Sequence, residues 1–482
     1  MKNIVIILSF FLILSGCGKL EDLNKNVKDP SAVSGESLFT YAQKKLVDQV
    51  VSTNVNFNIS RLIVQYWTET TYPQESQYDI FERKIPDGQW DVMYRDVLKN
   101  FQESSKAINS SPLGTELPEV RKNKLAIIKI LTAYTYSNLV ETFGNIPYSQ
   151  ALQSTILTPK YDDGLTIYKS LIDSISDAIS TMTATAASFG IADNIYGGKS
   201  NLWIKFANSL KLRMGITLAD VDNTFAKTTI ESAAAGVFTN NSDDAKMKYL
   251  GAQPNANPLY VDLVSSGRDD FVAADTIIDI MNSFSDPRLN LYFQKTDTSK
   301  DGSGKMAYLG GKPGEGNAFD TYSHFVDLIE APSYPGTILD YTEVEFILAE
   351  AAARGYSVTG TAEDHYNKAI EASILDWNGK NADVVSYLAN PKVAYSTATG
   401  DYKQKIGIQK YIALYNRTYE AWTEVRRLDT PKLVAPKKAI SVFPVRLTYP
   451  VEEQTLNGSN YKIASDAIGG DNVDTKLFWD KY

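Results

Sequence analysis

Residues 123–147 read NKLAIIKILTAYTYSNLVETFGNIP. Leu125, Ile128, Thr132, Tyr136, Leu139 and Phe143 recur every three or four positions, so they share one face of a long α-helix. Gly144 then stops the helix, and Pro147 keeps it from resuming. Tyr168, Leu171, Ile172, Ile175 and Ile179 define a second helix, and residues 201–220, 341–355, 361–378 and 408–427 carry further helical patterns. In the pair at 341–378, Ala362, Tyr366 and Ala369 fall at offsets of four and three, and Phe346, Ala349 and Ala353 face them. Small residues let two helices approach while the aromatic fills the groove, which is the spacing of tetratricopeptide repeats. The helices at 121–143 and 163–183 suggest a similar unit in the first half. The fold class is therefore mostly α, built from tetratricopeptide-like helix pairs.

Two stretches break the pattern. Residues 236–336 are rich in Gly, Asn, Asp, Ser and Pro, with one clear short helix near 272–285, and the run YLGGKPGEG at 308–316 cannot be a regular element. A loop region this large inside a helical protein is usually functional. Residues 428–482 also read as irregular, with Pro431, Pro436, Pro444 and Pro450.

The chain opens with Lys2 and an apolar run over 4–14, broken only by Ser9. That run suits a signal peptide and is too short to span a bilayer. It ends in Leu14-Ser15-Gly16-Cys17, small residues before a cysteine, which looks like a bacterial lipobox. The expectation is a signal peptide over 1–16 and a lipid on the Cys17 thiol, the sole cysteine of the chain. Acyl chains at about 0.8 kcal/mol per buried CH₂ make a firm anchor. Residues 17–36 then read as a lipidated terminus and flexible tether, with Lys19, Glu21 and Asp22 just after the lipid site. The body spans 37–482, with helix pairs mainly over 37–235 and 337–430, a loop-rich insert over 236–336 and an irregular segment over 431–482.

A net charge of −9 and a pI near 5.1 argue against a nucleic-acid partner and against docking on anionic lipid. Two histidines, His324 and His365, leave little for His-based metal sites or triads. No motif points to a catalytic pair, a metal or a cofactor. Tyr, Phe and Trp make up 11% of the chain, and such rings suit surfaces that bind polar ligands with flat apolar faces. Aromatics beside polar residues in irregular segments form two candidate ligand clusters. Trp67, Tyr72, Gln74 and Tyr78 make the first. Tyr308, Tyr322 and Tyr334 make the second, with Arg268, Asp269 and Asp270 as polar candidates. By contrast, Tyr411, Tyr415, Tyr419 and Trp422 form a helical stripe expected in the core. Glu420, Glu424, Arg426 and Arg427 on that helix read as structural ion pairs.

Several blocks in order resemble the SusD/RagB family of outer-membrane nutrient-binding lipoproteins. They are QYWTETTYP (65–73) with WDVMY (90–94), the long helix ending in TFGNIP (142–147), SDPRL (285–289), YTEVEFILAE (341–350), and YEAWTEVRR (419–427). Pro431, RLTYP (446–450), Glu453, Asn457, Tyr461 and LFWD (477–480) complete the series. The resemblance implies a right-handed superhelix of tetratricopeptide-like helix pairs, with an irregular loop-rich ligand-binding region packed on it. It also implies a non-catalytic protein on the outer membrane, facing outward. Such a protein captures an oligosaccharide or similar nutrient as a lid over a SusC-like TonB-dependent transporter barrel. A secreted glycoside hydrolase and a scaffold that binds only a protein partner are the rival readings.

Overall fold

The computed structural model describes residues 33–297 and 305–482. The signal-peptide and Cys17 readings lie outside these residues, as does nearly all of the 17–36 stretch. Helix α1 (Gly35–Val51) starts on Ser34, whose hydroxyl accepts from the Ser37 amide. It therefore begins two residues inside the stretch read as tether.

The principal helices follow as α2 (Pro118–Phe143), α3 (Gly164–Thr181), α4 (Ser200–Thr217), α5 (Asn223–Ala233), α6 (Tyr341–Ala353), α7 (Ala362–Asp376), α8 (Tyr402–Ala413) and α9 (Thr418–Leu428). Consecutive helices pack in pairs: α2 on α3, α4 on α5, α6 on α7, and α8 on α9. This is the mostly helical, tetratricopeptide-like fold expected. In the α6–α7 pair, Phe346, Ala349, Tyr366 and Ala369 are all buried, with the two rings 6.3 Å apart and edge-on. Asp340 caps α6, and a Thr361–Asp364 capping box starts α7. Gly144 ends α2 at φ +89°, and a Cβ there would meet Leu477 at 2.8 Å, so both backbone and space require glycine.

The structure departs from the sequence reading in three places. Helix α2 buries Ile127, Ile130, Leu131 and Tyr134 as well as Ile128, Tyr136, Leu139 and Phe143 of its expected stripe, because it is packed on more than one side by α1, α3 and α4, while Leu125 and Thr132 of the stripe are only partly buried. The stretch 408–427 is two helices broken at 414–417. The Tyr66 and Tyr292 hydroxyls donate to the Tyr411 and Ile412 carbonyls in the last turn of α8, and Arg61 holds the linker, donating to the Tyr415 carbonyl at 3.1 Å and to Asn416 Oδ1 at 3.0 Å. The segment after 430 contains two short helices, Val451–Leu456 and Gly458–Ala467. Their Val451, Leu456 and Ile463 are exposed, so no apolar stripe announced them.

The expected aromatic stripe is core: Tyr411, Tyr415, Tyr419 and Trp422 are buried. The charges beside it form a tertiary network rather than local pairs alone. Glu343 accepts from Arg213 at 2.9 and 3.0 Å and also from Arg417. Glu350 accepts from Arg427 at 2.6 and 2.8 Å, and Arg427 also holds Glu424 at 2.7 Å. Burial alone would raise both carboxyls, but the guanidinium groups outweigh it. Glu343 sits well below the usual carboxylate range, and Glu350 falls to about 2.

Candidate functional site

Strands β1 (Trp67–Glu69) and β2 (Phe271–Ala273) pair antiparallel, with Trp67 opposite Ala273 and Glu69 opposite Phe271. This short ribbon joins the early chain to the middle loops. At its outer end Thr70 N donates to the Asp270 carbonyl at 2.9 Å, and Thr70 Oγ1 to the Asp269 carbonyl. The two chains then diverge around a pocket of about 380 Å³. That size falls within the range of small-molecule sites.

Tyr72 stands at this pocket with 64% of its surface exposed and φ at +58°. A bulky side chain in the left-handed region is a genuine outlier, and strain of this kind clusters at functional sites. Across the pocket, Arg268 grips Asp270 with a two-pronged fork at 2.5 and 2.9 Å. Arg83 lines the wall and pairs with the buried Glu75. Thr53, Asn54 and Asn56 contribute an amide-rich turn directly after α1, folded on itself by Asn56 N and Nδ2 bonding to Asn54 Oδ1 at 3.1 and 2.8 Å.

Two carboxyls in the lining have raised pKa values. Burial, and then the Glu75 carboxyl beside it, push Glu69 well above the usual carboxylate range. The Ser76 amide holds one of its oxygens at 2.8 Å. Burial also pushes Asp262 up to about 6, against a Ser52 hydroxyl at 3.5 Å. Among the described residues, no group of three or more His, Cys, Asp or Glu side chains comes together to hold a metal ion.

Of the residues singled out in the sequence, Tyr72, Arg268 and Asp270 meet at this pocket. Trp67 and Tyr78 are both 0% exposed and serve the core. Trp67 stacks on Phe325 at 3.8 Å, lies under Arg61, and donates to the Tyr415 hydroxyl at 2.8 Å. The Tyr78 hydroxyl accepts from Gln65 at 2.6 Å. Tyr334 packs beside Trp377, and burial raises its hydroxyl pKa. Gln74 enters the turn before Tyr78, and its carbonyl accepts from Asp79 N. Tyr308 and Tyr322 are half-buried. None of these four lines the Tyr72 pocket. Sequence reasoning missed Thr53, Asn54, Asn56, Glu69, Arg83 and Asp262. The polar run 52–56 after an apolar helix was the one available signal.

A family model described as starch-binding and associating with the outer membrane, SusD-like, matches residues 27–450. The chain belongs to this SusD-like family. Among solved structures, a chitin-binding protein is 26% identical with a TM-score of 0.81, covering 93% of this chain and 100% of that one. A SusD homologue from Bacteroides uniformis is 26% identical with a TM-score of 0.79, covering 92% and 99%. A chitin-binding SusD homologue from Flavobacterium johnsoniae is 24% identical with a TM-score of 0.75, covering 92% and 97%, and shares the fold. No curated protein matches the chain. Among the described residues, no helix of this SusD-like protein is long and apolar enough to cross a membrane.

Proposed function

We propose that this SusD-like protein is a surface lipoprotein of the outer membrane that binds an extracellular glycan at the Tyr72 pocket. It passes the glycan to a SusC-like TonB-dependent transporter, without catalysis. The observation that carries the reading is Tyr72 itself, an exposed ring held in a strained backbone beside paired charges and amides. A flat ring with fixed polar neighbours is what a sugar's C–H face and hydroxyls require. The family's starch-binding description and the chitin-binding relative at 26% identity support the same class. Titration calorimetry against malto- and chito-oligosaccharides is expected to show binding, with no shortened products by chromatography. Binding of peptides with no glycan binding would move the ligand class elsewhere, and product release would make the protein a hydrolase.

Cys17 supplies the anchor in this reading, and the stretch between it and α1 is its tether. A Cys17→Ala variant is expected to leave glycan affinity and thermal midpoint unchanged while the protein moves from the membrane fraction to the soluble one. Membrane retention of the variant would overturn the lipid role.

A further inference from the structure

A second hollow of about 280 Å³ adjoins the Tyr72 pocket, and Asn54 and Asp262 line both. Its character differs from the first. Phe57, Val92, Pro254 and Pro258 give it apolar walls, and Phe57 is only partly buried. On its α1 side lies Gln49, 1% exposed, whose amide nitrogen donates to the Phe57 carbonyl at 2.9 Å and the Tyr419 hydroxyl at 3.1 Å. Its Oε1 accepts no hydrogen bond. A buried acceptor left unmet is costly to the fold. The backbone around the hollow is also unusual. Among the described residues, π-helical turns occur at Val92–Leu98 and Val261–Ser265, and both supply wall residues here. Such turns are rare and recur at functional sites.

We propose that the two hollows are subsites of one groove, crossed by a linear, neutral oligosaccharide. This inference rests on the glycan reading of the Tyr72 pocket and extends it to a class and a minimum reach. One sugar sits at Tyr72, the chain passes over Asn54 and Asp262, and a later sugar lays its apolar face on Phe57. Neutrality follows from the charges. Lys44 is paired with Asp48 at 2.5 Å, Arg83 with Glu75, and Arg268 with Asp270. Lys45 lies 5.6 Å from the Tyr41 ring centre. Of the four lining cations, the three matched by carboxylates offer little to sulfated or uronic sugars, which leaves Lys45 alone over its ring.

The test is calorimetry of the intact protein with chito- and malto-oligosaccharides from two to six units, and with a sulfated oligosaccharide of equal length. For the wild type, affinity for one neutral series should rise at least tenfold with length and then level off. Phe57→Ala and Val261→Trp, each checked for an unchanged melting curve, should cut hexasaccharide affinity to about that of the disaccharide. Tyr72→Ala should weaken every length. Length-independent binding by the wild type, or a full length gain in both groove variants while Tyr72→Ala still weakens binding, would overturn the second subsite and leave the first intact. Tighter binding of the sulfated chain would overturn neutrality. Absence of binding to every glycan would remove the glycan reading and this inference together.

Discussion

Glu343→Ala is expected to destabilise the protein by about 3–5 kcal/mol, the cost of breaking a buried ion pair from one side. The substitution strands Arg213 and Arg417, both buried, with Glu420 and Asp340 as their remaining partners at 2.9–3.9 Å. The shift should appear as a lower urea midpoint with an unchanged slope. Lys462→Ala is the control. It breaks an exposed pair with Asp466 and should change stability by less than about 1 kcal/mol. The pH dependence has a definite sign. The folded pKa of Glu343 is depressed, so its contribution is fully present above the ordinary Glu value near 4.3 and fades as pH falls through its own lower value. The wild type should therefore lead the variant by a constant margin at neutral pH, and the margin should shrink only in strong acid. A difference that vanished between pH 7 and pH 5 would contradict this assignment.

Tyr72→Gly and Tyr72→Ala are expected to cut glycan affinity by about 2 kcal/mol or more, roughly thirty-fold, the scale of a central aromatic anchor. Their effects on stability should differ. The left-handed backbone costs a non-glycine residue about 1–2 kcal/mol, and glycine removes that cost while adding about 0.5–1 kcal/mol of unfolded-state entropy. Tyr72→Gly should therefore keep or slightly raise the thermal midpoint while binding collapses. Alanine keeps the strain and gains nothing. A protein more stable without its exposed tyrosine, and unable to bind, would show that the ring is retained for the ligand. Unchanged affinity in both variants would remove Tyr72 from the site.

The helices were legible because their apolar residues repeat locally. Leu125 to Phe143 and Tyr168 to Ile179 needed only period and a stop signal. The break between α8 and α9 was not legible, because the spacing of Tyr411, Tyr415 and Tyr419 continues across it and Arg61, which holds the linker at Tyr415, lies 354 positions away. The site divides in the same manner. Tyr72, Arg268 and Asp270 were found as aromatic and polar residues in irregular chain. Trp67 met the same criterion, but pairing of β1 with residues some two hundred positions later turned it inward. Glu69, two residues further on, came to line the pocket, and its raised pKa comes from burial and from Glu75. Burial of this kind is set by tertiary neighbours, which composition does not reveal.

Residues 415–420 bear on how the protein is made. Tyr415 receives Arg61 and Trp67, and Glu420 receives Tyr134, across separations of 286 to 354 residues. At about 5–20 residues per second, the early partners wait on the order of tens of seconds before their counterparts leave the ribosome. Loop closure over such distances is slow in any case. The amino-terminal half therefore cannot complete its core early, and the nascent chain remains extensible until nearly all of it exists. The order of synthesis and the topology together therefore hold back completion of the core until nearly all of the chain has been made.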